Sequence, residues 1–255
     1  RYFCTKNFLA SNHFEDQKLC KACGLERKSM GIFNKYFQNF YLKSIIAIRY
    51  GKKYFKVLKN SNIKILVLTD FHKNYLEKLG VDKSKLFIFR NYLDVNKSNK
   101  FRNTENYIIY AGRISKEKGV ENLIKAFLKC DFKDIKFKIV GQGPDKDKLK
   151  KQYVDSSIEF IDQMSNSDVL NLIKNSISTV TSTSLFEGQP TLLCEASSLG
   201  VPSIFPNSGG IREFFPEDYE LSFNYDSDDD LVLNLSQVKN LSKMSKQGIE
   251  NHQFI

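Results

Sequence analysis

The stretch Tyr107-Ile-Ile-Tyr-Ala111, followed by Gly112-Arg-Ile-Ser-Lys-Glu-Lys-Gly119 and residues 120–129, decides the fold. Its opening run is apolar and rich in β-branched and aromatic side chains, as expected of a strand buried on both faces. A glycine-bounded basic loop comes next, and then a segment with apolar residues at helical intervals. The same alternation repeats downstream. Strands are predicted over 135–140, 158–161, 177–181 and 202–205, helices over 145–152, 167–174 and 191–199, and a short helix over 211–215. Strands alternating with helices at this spacing mean βαβ units around a parallel sheet, an α/β fold with helices on both faces. Ligands on such sheets bind at the carboxyl ends of the strands, where the strand order reverses.

The chain before this region is organised differently. Residues 1–30 are polar and irregular. Residues 32–60 mix aromatic, aliphatic and Lys residues at helical intervals and read as helix, broken near Gly51. Two uses of that helix are open: a domain helix with snorkelling lysines, or an interfacial amphipathic helix. Residues 63–69 read as a buried strand, with Asp70 placed to cap a helix over 74–79 that ends at Gly80. A further strand over 85–90 leads to Asn91-Tyr-Leu-Asp94, and the polar, aperiodic residues 95–105 read as a linker. The predicted organisation is therefore 1–94, a linker over 95–105, and a regular α/β domain over 106–255.

Charge divides along the same line. Residues 1–100 hold 21 Lys/Arg against 7 Asp/Glu, a net of +14, and residues 101–255 hold 18 against 22, a net of −4. The basic part suits an anionic partner such as lipid, a phosphorylated substrate or nucleic acid, or is simply a lysine-rich solvated surface. No run of eighteen apolar residues is present, and the start Arg1-Tyr-Phe-Cys4 lacks the apolar stretch of a signal peptide. Without an initiator Met, the sequence reads as a fragment cut at both ends. Five scattered cysteines do not make a disulfide scaffold. Cys130 and Cys194 fall at apolar helical positions, whereas Cys20 and Cys23 form a CxxC that could bind zinc with Cys4 and His13.

The chemistry-bearing residues fall on the loops after the strands. Arg113 and Lys118 bracket the first loop, a guanidinium fork plus a point charge that suit a diphosphate. Gly141-Gln-Gly143-Pro144 forms a turn that lets another chain or a ligand approach the backbone. Asp162 and Gln163 follow the third strand, where backbone groups can meet a nucleobase. Residues 187–195, Glu-Gly-Gln-Pro-Thr-Leu-Leu-Cys-Glu, place Glu187 before a helix and Glu195 just over one turn inside it. Pro190 fits the first helical position, leaving the amides of Gln189, Thr191 and Leu192 as an anion site. The alternative use of the two glutamates is as solvated or dipole-facing side chains. No Walker loop, GxSxG, HExxH or full dinucleotide fingerprint is present.

These pieces together resemble the retaining glycosyltransferases of family 4, which have the two-Rossmann-domain GT-B fold. The resemblance rests on Gly112-Arg113 with Lys118-Gly119, Val140-Gly-Gln-Gly-Pro144, Ser184-Leu-Phe-Glu187-Gly188 with Glu195-Ala196, Gly200-Val-Pro-Ser203, and Ser208-Gly-Gly210 with Glu213. It covers about residues 107–215 in order. Thr69-Asp70 and Asn91-Tyr-Leu-Asp94 resemble the last part of the family's N-terminal, acceptor-side domain and its crossover, and the Cys4/Cys20/Cys23 segment resembles one found in bacterial members.

The resemblance implies a bacterial enzyme that moves a hexose or N-acetylhexosamine from a UDP- or GDP-sugar to a saccharide acceptor, lipid-linked, in surface polysaccharide synthesis. It implies that Arg113 and Lys118 hold the donor diphosphate and stabilise the departing nucleotide, with Gly112, Gly141 and Gly143 beside them. Glu195 is implied as the ribose ligand and Glu187 as the sugar ligand, with the amides from Gly188 to Thr191 nearby. It further implies no required metal or cofactor, no nucleic-acid partner, and a cytoplasmic protein, peripheral at the inner membrane face. This sequence departs from the family pattern in having Gln189-Pro190 where phenylalanine-glycine often follows the first Glu. It also lacks the family's N-terminal Gly-rich loop and His, and its last helix reads as incomplete. The alternative expectation is a chain that binds nucleotide sugar without turnover because the N-terminal half-site is not in it.

Overall fold

The computed structural model describes residues 40–91, 104–182, 189–224 and 227–255. Cys4, His13, Cys20, Cys23, Glu187 and Gly188 lie outside the described residues. The chain divides into two compact units, Arg1–Phe89 and Arg90–Ile255.

In the first unit, helix α1 (Tyr41–Asn60) runs unbroken through Gly51. The break expected there does not occur: one glycine costs a helix about 1 kcal/mol relative to alanine, and the inner face offsets it by packing. On that face Phe55 is buried with Val81 and Leu86, and Leu58 packs beside them. Strands β1 (Ile65–Val67) and β2 (Leu86–Ile88) pair in parallel, Ile65 opposite Leu86. Helix α2 (Asp70–Lys78) joins them. Its cap is Thr69, whose hydroxyl oxygen accepts from the His72 amide at 3.2 Å. Asp70, expected as the cap, is instead the first helical residue, where its carboxylate meets the positive end of the helix dipole favourably. Lys85 Nζ donates to the carbonyls of Lys59 and Ser61, at 3.1 and 2.7 Å, and so satisfies the carboxyl end of α1.

The second unit is built on a six-stranded sheet in the order β5-β4-β3-β6-β7-β8, with every pairing parallel. Its strands are β3 (Tyr107–Ala111), β4 (Lys136–Val140), β5 (Ile158–Ile161), β6 (Ser178–Val180), β7 (Ser203–Pro206) and β8 (Ser222–Phe223). Helices α3 (Val120–Lys129), α4 (Lys146–Gln152), α5 (Asn166–Asn175) and α6 (Thr191–Ser198) connect them. Strand β3 shows why its sequence is apolar throughout. Ile108 and Tyr110 belong to the core on one face, with Phe127 and Phe137, whereas Tyr107 and Ile109 belong to the core on the other, with Ile173 and Val201.

Between β3 and β7 the element boundaries agree with the sequence reading to within one residue. Beyond residue 215 that reading gave no element bounds, only an incomplete last helix. The structure adds β8, α7 (Asp228–Ser236) and α8 (Leu241–Phe254). Helix α8 packs on α6: Gly248 lies so close that a Cβ there would strike the Gly200 carbonyl oxygen, and His252 Nδ1 is 2.9 Å from the Ser198 carbonyl. Among the described residues, no helix is long and apolar enough to cross a membrane.

Candidate active site

From β3 the chain winds outward through β4 to β5, then returns to the other side of β3 with β6 and continues to β8. The order therefore reverses between β3 and β6. The carboxyl ends of the strands at such a reversal point are where an open α/β sheet takes its ligand. The first loop carries Arg113 and Lys118, and the second leads through residues 183–188 to the mouth of α6.

The first loop is held from below. The buried Tyr110 hydroxyl donates to the Arg113 carbonyl at 2.8 Å, and the Gly112 amide donates to Val140 at 3.0 Å. Ile114 is fully buried and its amide donates to Gln142 at 2.9 Å. With its backbone fixed in this way, the Arg113 side chain is exposed at the carboxyl end of the sheet. Gly119 adopts a left-handed conformation, φ 65°, between a 3-10 turn (Lys116–Lys118) and α3. A Cβ on Gly119 would collide with the Ser182 carbonyl oxygen. The loops on either side of the reversal point are thus in contact, and Lys118 sits one residue from that contact.

Gly141 and Gly143 have a different partner from the one expected. A Cβ on Gly141 would strike the Gly112 carbonyl, and one on Gly143 the Ile114 carbonyl. The close approach that these glycines permit is made by the chain itself. They press the turn after β4 against the Arg113 loop, so their part in the site is to support that loop.

The mouth of α6 also differs in detail. Pro190, with φ −81° and ψ 80°, is the residue before the helix and not its first residue. These angles make an inverse γ-turn, in which the Thr191 amide donates to the Gln189 carbonyl at 3.0 Å. The Thr191 amide is therefore not free for an anion, which corrects the expectation for that residue. Helix geometry leaves the next amide, that of Leu192, without an intrahelical acceptor. Gln189 is nearly buried, and its side chain pairs both ways with the backbone of Asn91: the Asn91 amide donates to Oε1 at 2.5 Å and Nε2 donates to the Asn91 carbonyl at 3.1 Å.

Glu195 is half-buried on α6, and burial pushes its carboxyl above the usual range, opposed by a hydrogen bond from the Asn166 side chain. Asn166 opens α5, just past β5, so Glu195 is tied to the loop that carries Asp162 and Gln163. Both of those residues are exposed at the end of β5. The adjacent Cys194 is fully buried. Burial, reinforced by the charge of Glu195, pushes its thiol up to about 12, which leaves it no nucleophilic thiolate at neutral pH. Asn166 and Tyr110 were not singled out from sequence. Neither stands in a motif, and Asn166 acts on a residue that only folding brings to it.

The chain matches the family described as glycosyl transferases group 1 over residues 93–253. It is 26% identical over 187 residues to the amylovoran biosynthesis glycosyltransferase AmsD of Erwinia amylovora, covering 69% of this chain and 52% of AmsD. The chain thus spans about half the length of that relative. Among solved structures, the catalytic domain of the cholesterol-alpha-glucosyltransferase from Helicobacter pylori is 26% identical with a TM-score of 0.53, covering 59% of this chain and 96% of that one. A mutant of S. aureus TarM in complex with fondaparinux, alpha-GlcNAc-glycerol and UDP is 20% identical with a TM-score of 0.70, covering 80% and 43%. The family match takes in both loops of the reversal point, the α6 mouth and Glu195. The chain belongs to the glycosyl transferases group 1 family.

Proposed function

We propose that the second unit holds the donor of a retaining, metal-independent glycosyl transfer. The observation that carries this reading is the contact of Gly119 with Ser182, which joins the Arg113–Lys118 loop to the loop before α6 at the reversal point. A UDP- or GDP-sugar places its diphosphate there. Arg113 and Lys118 neutralise the charge that builds on the departing nucleotide, Glu195 accepts from the ribose hydroxyls, and Glu187 with the Gly188 backbone holds the sugar. The acceptor hydroxyl attacks on the face from which the nucleotide leaves, and the leaving phosphate takes its proton. The sugar is a hexose or N-acetylhexosamine, and the acceptor a lipid-linked saccharide of bacterial surface polysaccharide synthesis, which the name of the AmsD relative supports. The test is transfer by the complete protein, with the anomeric configuration of the product read by NMR. Glu187→Ala and Arg113→Ala should each depress the rate, and unchanged rates in both would reject the assignment.

The 52% coverage of AmsD favours a second reading for this chain taken alone, that it binds nucleotide sugar without turning it over. Binding by calorimetry without transfer would distinguish the two.

A cytoplasmic protein resting on the inner membrane face fits the first unit. Leu42, Ile46, Tyr50, Tyr54 and Val57 are exposed along α1 at steps of four, four, four and three residues. The same helix carries Lys43, Arg49, Lys52, Lys53, Lys56 and Lys59 and no carboxylate. An apolar stripe with cations around it suits an anionic lipid surface. Sedimentation with phosphatidylglycerol-containing vesicles should fall sharply for Ile46→Asp and at high salt, and absence of sedimentation at low salt would reject this placement.

A further inference from the structure

One side chain joins the start of the second unit to the mouth of α6. Asn91 is the second residue of that unit, and the Gln189 amide takes both of its backbone groups. The Asn91 amide donates to Gln189 Oε1 at 2.5 Å, and Gln189 Nε2 donates to the Asn91 carbonyl at 3.1 Å. The pair replaces the two bonds that a neighbouring antiparallel strand would make. Gln189 is only 9% exposed, and its side chain also hydrogen-bonds the buried Cys194 thiol in the first turn of α6. Its own carbonyl accepts from Thr191, and the Pro190 carbonyl accepts from the Cys194 amide at 3.0 Å. A second contact holds the same stretch: the Arg90 guanidinium lies over the ring of buried Phe214, 5.1 Å from its centroid.

Burial alone does not call for a glutamine here. Fixing its rotamers costs about 1.5–2 kcal/mol, and its amide needs partners that an apolar side chain of the same size would not. What the amide adds is register. An apolar contact can slide, whereas two opposed hydrogen bonds close at one position only. That register ties Asn91 to the helix that carries Glu195 and the Leu192 amide. We propose that Gln189 is a positioning residue for glycosyl transfer. It fastens the chain at Asn91 to the α6 mouth, so that the mouth keeps one place and the joint between the units falls before Asn91. Residues 95–105, read from sequence as the linker, come after that point. The role in transfer rests on the donor-site reading above, and the clamp itself does not.

The test uses Gln189→Met, which keeps the length and burial of the side chain and removes both hydrogen bonds. In the wild-type 255-residue chain the Asn91 amide should be protected from hydrogen exchange, read by NMR, and in the variant it should exchange about fivefold faster, the loss of one hydrogen bond. In transfer by the complete protein, kcat should fall about tenfold or more, as a small misplacement at the reacting centre does. Calorimetric affinity for UDP, GDP and pyrophosphate should stay at the wild-type value, because Tyr110 and not Gln189 holds the Arg113 loop. An unchanged kcat, or a kcat that falls only in step with nucleotide affinity, overturns the positioning role. A wild-type Asn91 amide that exchanges at the unprotected rate overturns the clamp, whether or not the variant folds. A wild type that binds no nucleotide or pyrophosphate overturns the donor-site reading and the role in transfer together, while Asn91 exchange still decides the clamp.

Discussion

Glu195 is held by α6 in a half-buried position that raises its proton affinity, and Asn166 supplies the hydrogen bond that opposes this. The folded protein therefore keeps a proton on Glu195 at pH values where the unfolded chain, with an ordinary carboxyl at 4.5, has released it. Stability from this group is greatest below 4.5 and declines as pH rises through the raised folded value. Glu195→Gln should accordingly raise the thermal midpoint at pH 8, by a margin that closes toward pH 4, while weakening UDP binding about tenfold, as the loss of a charge-assisted hydrogen bond does. A variant less stable than wild type at pH 8 would show that the carboxylate is structural. Arg113 should behave differently. Its exposed side chain is not what holds the loop, because the Tyr110 hydroxyl grips the backbone carbonyl. Arg113→Ala should leave the denaturant midpoint unchanged and weaken pyrophosphate binding about tenfold or more in calorimetry.

At the scale of elements, the turn after β4 and the loop after β3 act as one piece. Gly143→Ala would put a methyl group into the Ile114 carbonyl and should destabilise the second unit by about 1–3 kcal/mol, read from urea unfolding. A shift within error would mean that the two loops move apart freely. The same elements show what a sequence can disclose. Strands β3 to β7 and the helices between them were legible because apolar strand-length runs alternate with helical spacing, and glycine or proline flanks β3, β4, α6 and β7. The positions of Arg113, Lys118 and Glu195 were legible because they stand at the carboxyl ends of those strands or on the helix that follows. The partner of the glycine turn was not, since a glycine allows close approach without saying of what. Pro190 was misplaced by one residue because its fixed φ suits an inverse γ-turn as well as a first helical turn. The buried Lys146 beside Asp162 was invisible for the same kind of reason: in sequence it is one more lysine of a basic helix. Beyond residue 215 the short β8 and the mixed faces of α7 and α8 lack a clear period, and their place depends on packing against elements far back in the chain.

For the whole molecule, the division at residues 89 and 90 separates a basic unit from the one in which we propose the donor site. A ligand that binds the folded second unit stabilises it by mass action, by about 2.7 kcal/mol at a hundredfold excess over Kd. Scanning calorimetry with UDP should therefore raise the transition of residues 90–255 specifically, whereas vesicles should perturb only residues 40–89. If UDP moved both transitions equally, the donor site could not be confined to one unit. The most direct test of the central claim is hydrogen exchange with and without UDP, because it reports where the nucleotide sits. Protection confined to the carboxyl-end segments 112–119, 162–166 and 189–195 is the predicted result. Unchanged exchange in all three segments, with protection elsewhere in the chain, would contradict it.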